Sequence, residues 1–158
     1  MPWIQNIAAS DVPRGLHQNP GPNSMLISIT DPGGWKPDAK HVFSERHNFE
    51  FLDIEKDTPC DDEEMRCSQE QASRLAALLK KAFAEDKNVV VHCFAGACRS
   101  GAVAEVGVML GFEDTHTYRQ PNLLVKHGML RYLRMYYDEN ETTSDEYSWK
   151  HSKLGWER

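Results

Sequence analysis

The chain has 158 residues, of which 40% are apolar and 27% are charged, so it can form one domain with a sizeable hydrophobic core. Its net charge of −6 argues against general binding to nucleic acid or to an anionic membrane, because both partners favour basic surfaces. No apolar run is long enough to span a membrane, and the N-terminus lacks the basic and apolar regions of a secretory signal, which predicts a cytoplasmic protein.

Two strands and one helix are predicted in the first half of the chain. The apolar run 25–29 predicts a buried strand, and the sequence Asp-Pro-Gly-Gly at 31–34 predicts the turn that ends it. A second strand is predicted over 49–54, followed by an acidic, turn-rich loop. A helix is predicted to begin at Ser68, because Ser68 and Gln71 form a capping box and apolar residues follow at helical spacing.

A further strand and two helices are predicted in the second half. The run 88–91 contains three valines and predicts a central strand, and the segment 100–110 predicts a helix that ends at Gly111. A last helix is predicted over 121–137, with a proline in its first turn. The polar tail from about 138 has a composition that allows flexibility. Together these elements predict a single α/β domain, with a central, mostly parallel sheet flanked by helices.

The loop sequence HCFAGACRS, residues 92–100, joins the predicted central strand to the following helix. Its small residues allow the backbone to curl with its N–H groups inward, and the helix N-terminus adds a positive dipole. Arg99 can bind two phosphate oxygens, and the same positive environment favours a nucleophilic thiolate at Cys93. Ser100 can donate a hydrogen bond to that sulfur, and His92 is predicted to orient the loop through hydrogen bonds to backbone carbonyls. The predicted phosphate-binding residues are Phe94, Ala95, Gly96, Ala97, Cys98 and Arg99.

This stretch matches the H-C-x5-R-S/T signature of cysteine-dependent protein tyrosine phosphatases, and it resembles small dual-specificity-like phosphatases of prokaryotes and phages. The segments LISITDPG, FEFLDI and PNLLV resemble segments of the same proteins. The resemblance implies an α/β fold and two-step hydrolysis of a phosphomonoester through a cysteinyl phosphate, with neither metal nor cofactor. It implies a phosphorylated protein or another phosphomonoester as substrate, and inorganic phosphate or sulfate as ligands. The net charge, and not the resemblance, is what predicts no nucleic-acid or membrane partner.

The implied mechanism needs a general acid, which in this family is usually an aspartate on a mobile loop. The acid often follows an upstream strand as F-x-D, which nominates Asp53 in the sequence FLD. This position lies 40 residues before the cysteine, farther than is usual in the family, so the acidic stretch after it would be an insertion. Asp57 is a close rival, and Asp61 and Asp62 are weaker candidates. Asp53 could instead cap a turn or a helix.

The remaining cysteines have less specific signatures. A reducing cytosol predicts free thiols at all four, and the absence of any C-x-x-C pair argues against a zinc site. Cys98 directly precedes Arg99, as a second cysteine does in low-molecular-weight tyrosine phosphatases. By that resemblance, Cys98 could form a disulfide with oxidised Cys93; the alternative is a small side chain that fills space behind the loop.

Two other functions stay open at the level of sequence. One is a thiol enzyme similar to rhodanese or arsenate reductase, since these use related anion-binding loops, although the Arg-Ser ending favours phosphate. The other is a phosphatase-like module that binds phosphorylated partners without turnover. The interior of the loop carries no second basic residue, which favours phosphoproteins over phosphoinositides as substrates.

Overall fold

The computed structural model of the chain describes residues 1–56, 58 and 65–142. The rival acids Asp57, Asp61 and Asp62, the cysteine Cys60 and the tail from 143 lie outside the described residues. The strands and helices are β1 (Trp3–Ala8), β2 (Ser24–Thr30), β3 (Glu45–Glu50), α1 (Gln69–Ala84), β4 (Asn88–Cys93), α2 (Arg99–Leu110), β5 (Glu113–Asp114) and α3 (Leu123–Leu133).

The strands form one sheet in the order β3-β2-β4-β1-β5, and all four pairings are parallel. The predicted α/β fold with a central parallel sheet is therefore confirmed. Because every strand runs in the same direction, the carboxyl ends of β1, β2, β3 and β4 meet at one edge of the sheet. Ligands of open α/β sheets commonly bind at this edge.

The central strand β4 is buried on both faces. Val89, Val91 and Cys93 face the main core, to which all three helices contribute. Val90 belongs to a smaller apolar cluster on the opposite face, where the loop residues Val12 and Phe43 cover the sheet. The run of valines follows from this double burial, since a strand between two apolar layers has no polar face.

Several local predictions agree with the structure. Ser68 and Gln71 form the predicted capping box at the start of α1, and Gly111 ends α2 with a φ of 121°. In the predicted turn, the N–H of Gly34 donates to the carbonyl of Asp31 at 2.8 Å, while Gly33 has a φ of 72°. A positive φ at the third residue, after a proline, is typical of a type II turn.

Three strand and helix boundaries differ from the predictions. No strand is predicted before residue 25, but β1 occupies Trp3–Ala8, where a buried asparagine interrupts the apolar pattern. The strand predicted over 49–54 is β3, which ends at Glu50 and is largely polar because it lies at the edge of the sheet. The helix predicted over 121–137 is shorter, because Asn122 caps its start and Arg134 adopts a left-handed conformation at its end.

The edge strand β3 is held by an ionic cluster at its first residue, Glu45. The Glu45 carboxylate accepts hydrogen bonds from Lys87 at 2.6 Å, from Lys81 at 2.9 Å and from His47 at 2.7 Å. The hydrogen bond from Lys87 is the largest influence, and together these partners outweigh partial burial and lower the pKa of Glu45 to about 2.

No helix within the described ranges is long and apolar enough to cross a bilayer.

Candidate active site

The loop from Cys93 to Arg99 lies at the carboxyl end of β4, and its carbonyl groups are turned away from its centre. Each of four carbonyls accepts a hydrogen bond from the surrounding protein: Phe94 from the N–H of Ala9 at 3.2 Å, Gly96 from Asn6 Nδ2 at 2.7 Å, Ala97 from the N–H of Gln120 at 2.9 Å, and Cys98 from the N–H of Asn122 at 3.0 Å. No peptide bond in the described chain is cis.

The orientation of these carbonyls fixes the orientation of the amides. A trans peptide unit points its N–H opposite to its C=O, so the N–H groups of Ala95, Ala97, Cys98 and Arg99 point toward the centre of the loop. The N–H of Gly96 also points inward, since it lies 3.3 Å from the Cys93 sulfur. Successive inward amides at a helix N-terminus form a concave site for an anion.

Gly96 allows the loop to pack directly against β1. Its φ is 81°, and a Cβ at this position would lie 2.5 Å from the backbone nitrogen of Ala8 and from the carbonyl carbon of Ile7. The adjacent Asn6 is 1% exposed, and its side-chain amide donates both to Gly96 and to the carbonyl of Tyr118 at 3.0 Å. A residue with a side chain at position 96 would therefore push the loop away from β1.

The Cys93 sulfur lies in the floor of the loop and is 2% exposed. It is 3.1 Å from the hydroxyl of Ser100, which is itself buried, and it accepts the hydrogen bond from Gly96. Hydrogen bonds that donate to sulfur stabilise a thiolate relative to a thiol. The structure thus brings the predicted nucleophile and the predicted supporting serine into contact.

Arg99 is the first residue of α2, and its guanidinium is 6% exposed. Its Nη1 donates to the carboxylate of Asp31 and to the carbonyl of Phe51, both at 2.7 Å. Its Nε is buried and has no hydrogen-bond partner among the described residues. An unsatisfied buried donor is costly, and an anion held by the inward amides would satisfy it.

The sequence analysis does not include Asp31 among the site residues. Asp31 follows β2, the neighbour of β4, so the parallel sheet places it beside the loop. The signal in the sequence is its position as the first residue of a turn that ends a buried strand. Its role in the structure is to hold the guanidinium of Arg99 from the side opposite to Nε.

His92 is completely buried on β4, and neither ring nitrogen has a hydrogen-bond partner of good geometry among the described residues. The predicted hydrogen bonds from His92 to loop carbonyls are therefore represented by a weak interaction with the backbone of Cys93. Burial lowers the pKa of His92 to about 4, against a smaller opposite effect of the Cys93 backbone. The ring is thus neutral at physiological pH.

Asp53 lies beside the loop on the segment that follows β3. Its exposed carboxylate accepts a hydrogen bond from Asn122 Nδ2 at 2.7 Å and interacts with the thiol of Cys98. Two residues later, both carboxylate oxygens of Glu55 accept from the N–H of Leu123, at 3.0 and 3.1 Å, at the start of α3. The segment is therefore docked on the N-terminus of α3. Asn122 connects this segment to the loop, and no sequence pattern singles it out.

The second thiol of the loop differs from the first in its surroundings. Burial, together with the negative charges of Asp53 and Cys93, raises the pKa of Cys98 to about 12. Cys67, which is remote from the loop in sequence, also has a pKa raised to about 12 by burial. Cys67, Cys93 and Cys98 are all free thiols, and within the described ranges no three His, Cys, Asp or Glu side chains are grouped as metal ligands.

No family model matches the sequence, and a search of curated proteins finds no significant match. Among solved structures, the chain is similar to OH1 of the Orf virus, a tyrosine phosphatase with triple substrate specificity, at 23% identity and a TM-score of 0.48. That match covers 70% of this chain and 57% of OH1, so the chain spans less than two thirds of the length of OH1. A second similar structure is Tk-PTP in its active form, at 14% identity and a TM-score of 0.41, covering 100% of this chain and 94% of that protein.

Proposed function

We propose that this protein is a cysteine-dependent phosphomonoester hydrolase of the tyrosine or dual-specificity phosphatase type. The observation that supports the proposal is the convergence of three features at the loop: a buried sulfur, a ring of inward amides, and a guanidinium whose buried Nε has no partner in the described part of the chain. A tetrahedral dianion is the ligand that matches these donors.

In the first step, the thiolate of Cys93 attacks the phosphorus of the bound ester. The inward amides and Arg99 hold the three equatorial oxygens, whose negative charge they stabilise in the transition state. Asp53 donates a proton to the leaving oxygen, so that the alcohol or phenol departs neutral. The S–P bond forms as the P–O bond to the leaving group breaks.

In the second step, water hydrolyses the cysteinyl phosphate. Asp53, now a carboxylate, accepts a proton from the attacking water, and the S–P bond breaks to return the thiolate. Ser100 stabilises the departing sulfur, because its hydroxyl lies 3.1 Å from Sγ. Inorganic phosphate is the product that leaves the loop.

Hydrolysis of p-nitrophenyl phosphate tests the proposal. Cys93→Ser is expected to lower kcat by at least about a thousandfold, since the hydroxyl is a far poorer nucleophile. It should still bind tungstate, because the amides and Arg99 remain. Cys67→Ala is the matched control, in which a buried thiol away from the loop is removed, and it should keep its activity.

The same assay separates the alternatives. Turnover of thiosulfate or arsenate without phosphatase activity would identify a different thiol enzyme. Tight tungstate binding with no turnover of any phosphomonoester would indicate a binding module. Full p-nitrophenyl phosphate activity in Cys93→Ser would refute the assignment of the nucleophile.

The assignment of the general acid needs two leaving groups. Asp53→Asn is expected to lower kcat for phenyl phosphate about a hundredfold, and to lower it much less for p-nitrophenyl phosphate, whose leaving group needs little protonation. Asp57→Asn is the matched variant four residues away. If Asp57→Asn shows the leaving-group dependence and Asp53→Asn does not, Asp57 is the acid.

A further inference from the structure

A cavity of about 200 Å³ opens beside the loop, between the loop residue Phe94 and the turn that begins at Asp31. It shares Asp31 with the site described above, because the carboxylate that lines the cavity also accepts from Arg99. Nothing in the proposed hydrolysis uses this space. The residues that line it are Ala9, Ile29, Thr30, Asp31, Gly34, Trp35, His92 and Phe94.

Two large aromatic side chains frame the cavity, although both are largely in solvent. Trp35 is 61% exposed and Phe94 is 74% exposed. Trp35 directly follows the turn 31–34, whose Gly33 N–H donates to the carboxylate of Glu50 at 2.6 Å. Exposed aromatic faces on a fixed loop beside a reactive site commonly contact a ligand.

The charged group of the cavity is the carboxylate of Asp31, whose one close cation is Arg99 of the loop. The carboxylate of Asp31 is 57% exposed, and only its Oδ1 is used by Arg99. The completely buried ring of His92 lines the cavity, neither nitrogen has a hydrogen bond of good geometry from the described residues, and burial keeps the ring neutral. None of the described lining residues carries a positive charge.

The charge of the bound substrate makes this region negative. Arg99 and Asp31 form an ion pair whose formal charges cancel. A phosphomonoester adds close to two negative charges at neutral pH. A positive side chain in the cavity would therefore be attracted by Asp31 and by the phosphoryl group at the same time.

We propose that this cavity is a second subsite, which binds the side chain of a lysine or arginine adjacent to the phosphorylated residue of a protein substrate. The proposal rests on the proposed phosphatase function. The aliphatic stem of such a side chain packs between the rings of Trp35 and Phe94, and its charged end approaches Asp31. The subsite thus selects phosphorylated segments that carry a neighbouring basic residue.

Phosphotyrosine peptides that differ at a single position test the subsite. Each position next to the phosphotyrosine, on either side, carries lysine, norleucine, glutamate or phenylalanine in turn. At the position that reaches the cavity, lysine is expected to raise kcat/KM about fivefold over norleucine. A fivefold change is the effect expected of a partly solvated cation–π contact together with an ion pair. Glutamate is expected to lower it.

Trp35→Ala is expected to abolish the difference between lysine and norleucine and to leave the hydrolysis of p-nitrophenyl phosphate unchanged, because that substrate does not extend to the cavity. Tyr136→Ala is the matched control. It removes an aromatic side chain that is 89% exposed and does not line the cavity, and it should keep the preference for lysine.

Binding to Cys93→Ser separates the subsite from the proposed activity. The lysine peptide is expected to bind this variant about fivefold more tightly than the norleucine peptide, and Trp35→Ala in the same background should remove the difference. If this pattern appears without turnover in the unmodified protein, the subsite stands and the proposed hydrolysis fails. Equal binding and turnover of all peptides, or a preference for phenylalanine over lysine, would overturn the subsite.

Discussion

Gly96→Ala tests whether the shape of the loop depends on its contact with β1. The substitution adds a Cβ 2.5 Å from the backbone of Ile7 and of Ala8, at a residue whose φ is 81°. Gly21→Ala is the matched control, since Gly21 has a φ of 78° but no atom within 4 Å of its added Cβ. Both variants carry the strain of a left-handed alanine, and only Gly96→Ala carries the overlap.

The two costs can be estimated separately. A non-glycine residue in the left-handed region costs about 1–2 kcal/mol, so Gly21→Ala should lower the Tm by about 3–6 °C in a chain of this size. Overpacking against fixed backbone adds about 1–3 kcal/mol, which brings the expected loss for Gly96→Ala to about 2–5 kcal/mol. If the loop moves instead, part of that stability returns, but the hydrogen bond from Asn6 breaks and the inward amides lose their alignment.

Thermal unfolding and steady-state hydrolysis of p-nitrophenyl phosphate give the two measurements. Gly96→Ala should lower kcat/KM by about a hundredfold, comparable to the loss of one preorganised donor to a transition-state oxygen. Gly21→Ala should keep its kcat/KM within about twofold, since it changes no contact of the loop. The reasoning is refuted if Gly96→Ala matches Gly21→Ala in both Tm and kcat/KM.

Three further predictions concern other parts of the molecule. Glu45→Gln should destabilise the protein by about 2 kcal/mol at neutral pH, because the hydrogen bond from Lys87 and the other partners depress the Glu45 pKa. That stability is present above the unfolded pKa of 4.5 and is lost as the pH falls toward 2, so urea unfolding of the two proteins should converge in acid. After mild peroxide treatment, the Cys93–Cys98 disulfide should form about tenfold faster per pH unit between about pH 7 and 9. Burial raises the Cys98 pKa to about 12, and Cys98 attacks oxidised Cys93 as the thiolate, whose fraction grows about tenfold per pH unit in this range. Mass spectrometry that finds sulfinic acid on Cys93 and no bridge contradicts this prediction. Asn6→Ala should lower kcat/KM about tenfold through the loss of two buried hydrogen bonds, and unchanged kinetics would show that the loop needs no such anchor.

The chemistry of the loop could be predicted from sequence because its parts are local. Cys93 and Arg99 are six residues apart, and the strand before them and the helix after them follow from short, strongly patterned segments. The start of α1 was equally predictable, since a capping box needs only Ser68 and Gln71. Local geometry is what short sequence patterns encode.

The residues that orient the loop could not be predicted in the same way, because they come from distant parts of the chain. Asp31 lies 68 residues from Arg99, and Asn6 lies 90 residues from Gly96. Both contacts depend on the order of strands in the sheet, which puts β2 and β1 on either side of β4. Neither a polar residue after a strand nor an asparagine within one indicates its partner.

The boundaries of β3 illustrate a related difficulty. The prediction places the strand over 49–54 because Phe49 and Phe51 are both apolar. Both side chains are buried, but only one of them lies in the strand. Phe49 belongs to β3, whereas Phe51 lies beyond its end, where its carbonyl accepts a hydrogen bond from the guanidinium of Arg99. An edge strand with one buried side chain has too weak a pattern to show where it ends.

Asn122 determines how Asp53 and the loop are placed relative to each other. Its backbone N–H holds the carbonyl of Cys98, its side-chain nitrogen holds the carboxylate of Asp53, and its side-chain oxygen caps α3 through the N–H of Val125. A single 1% exposed residue therefore contacts the anion loop, the proposed acid and the helix on which Glu55 docks. Because a helix cap is a rigid element, the position of Asp53 follows from the start of α3 as much as from its own loop. This arrangement explains how the exposed carboxylate of Asp53 can keep a defined place beside a buried nucleophile.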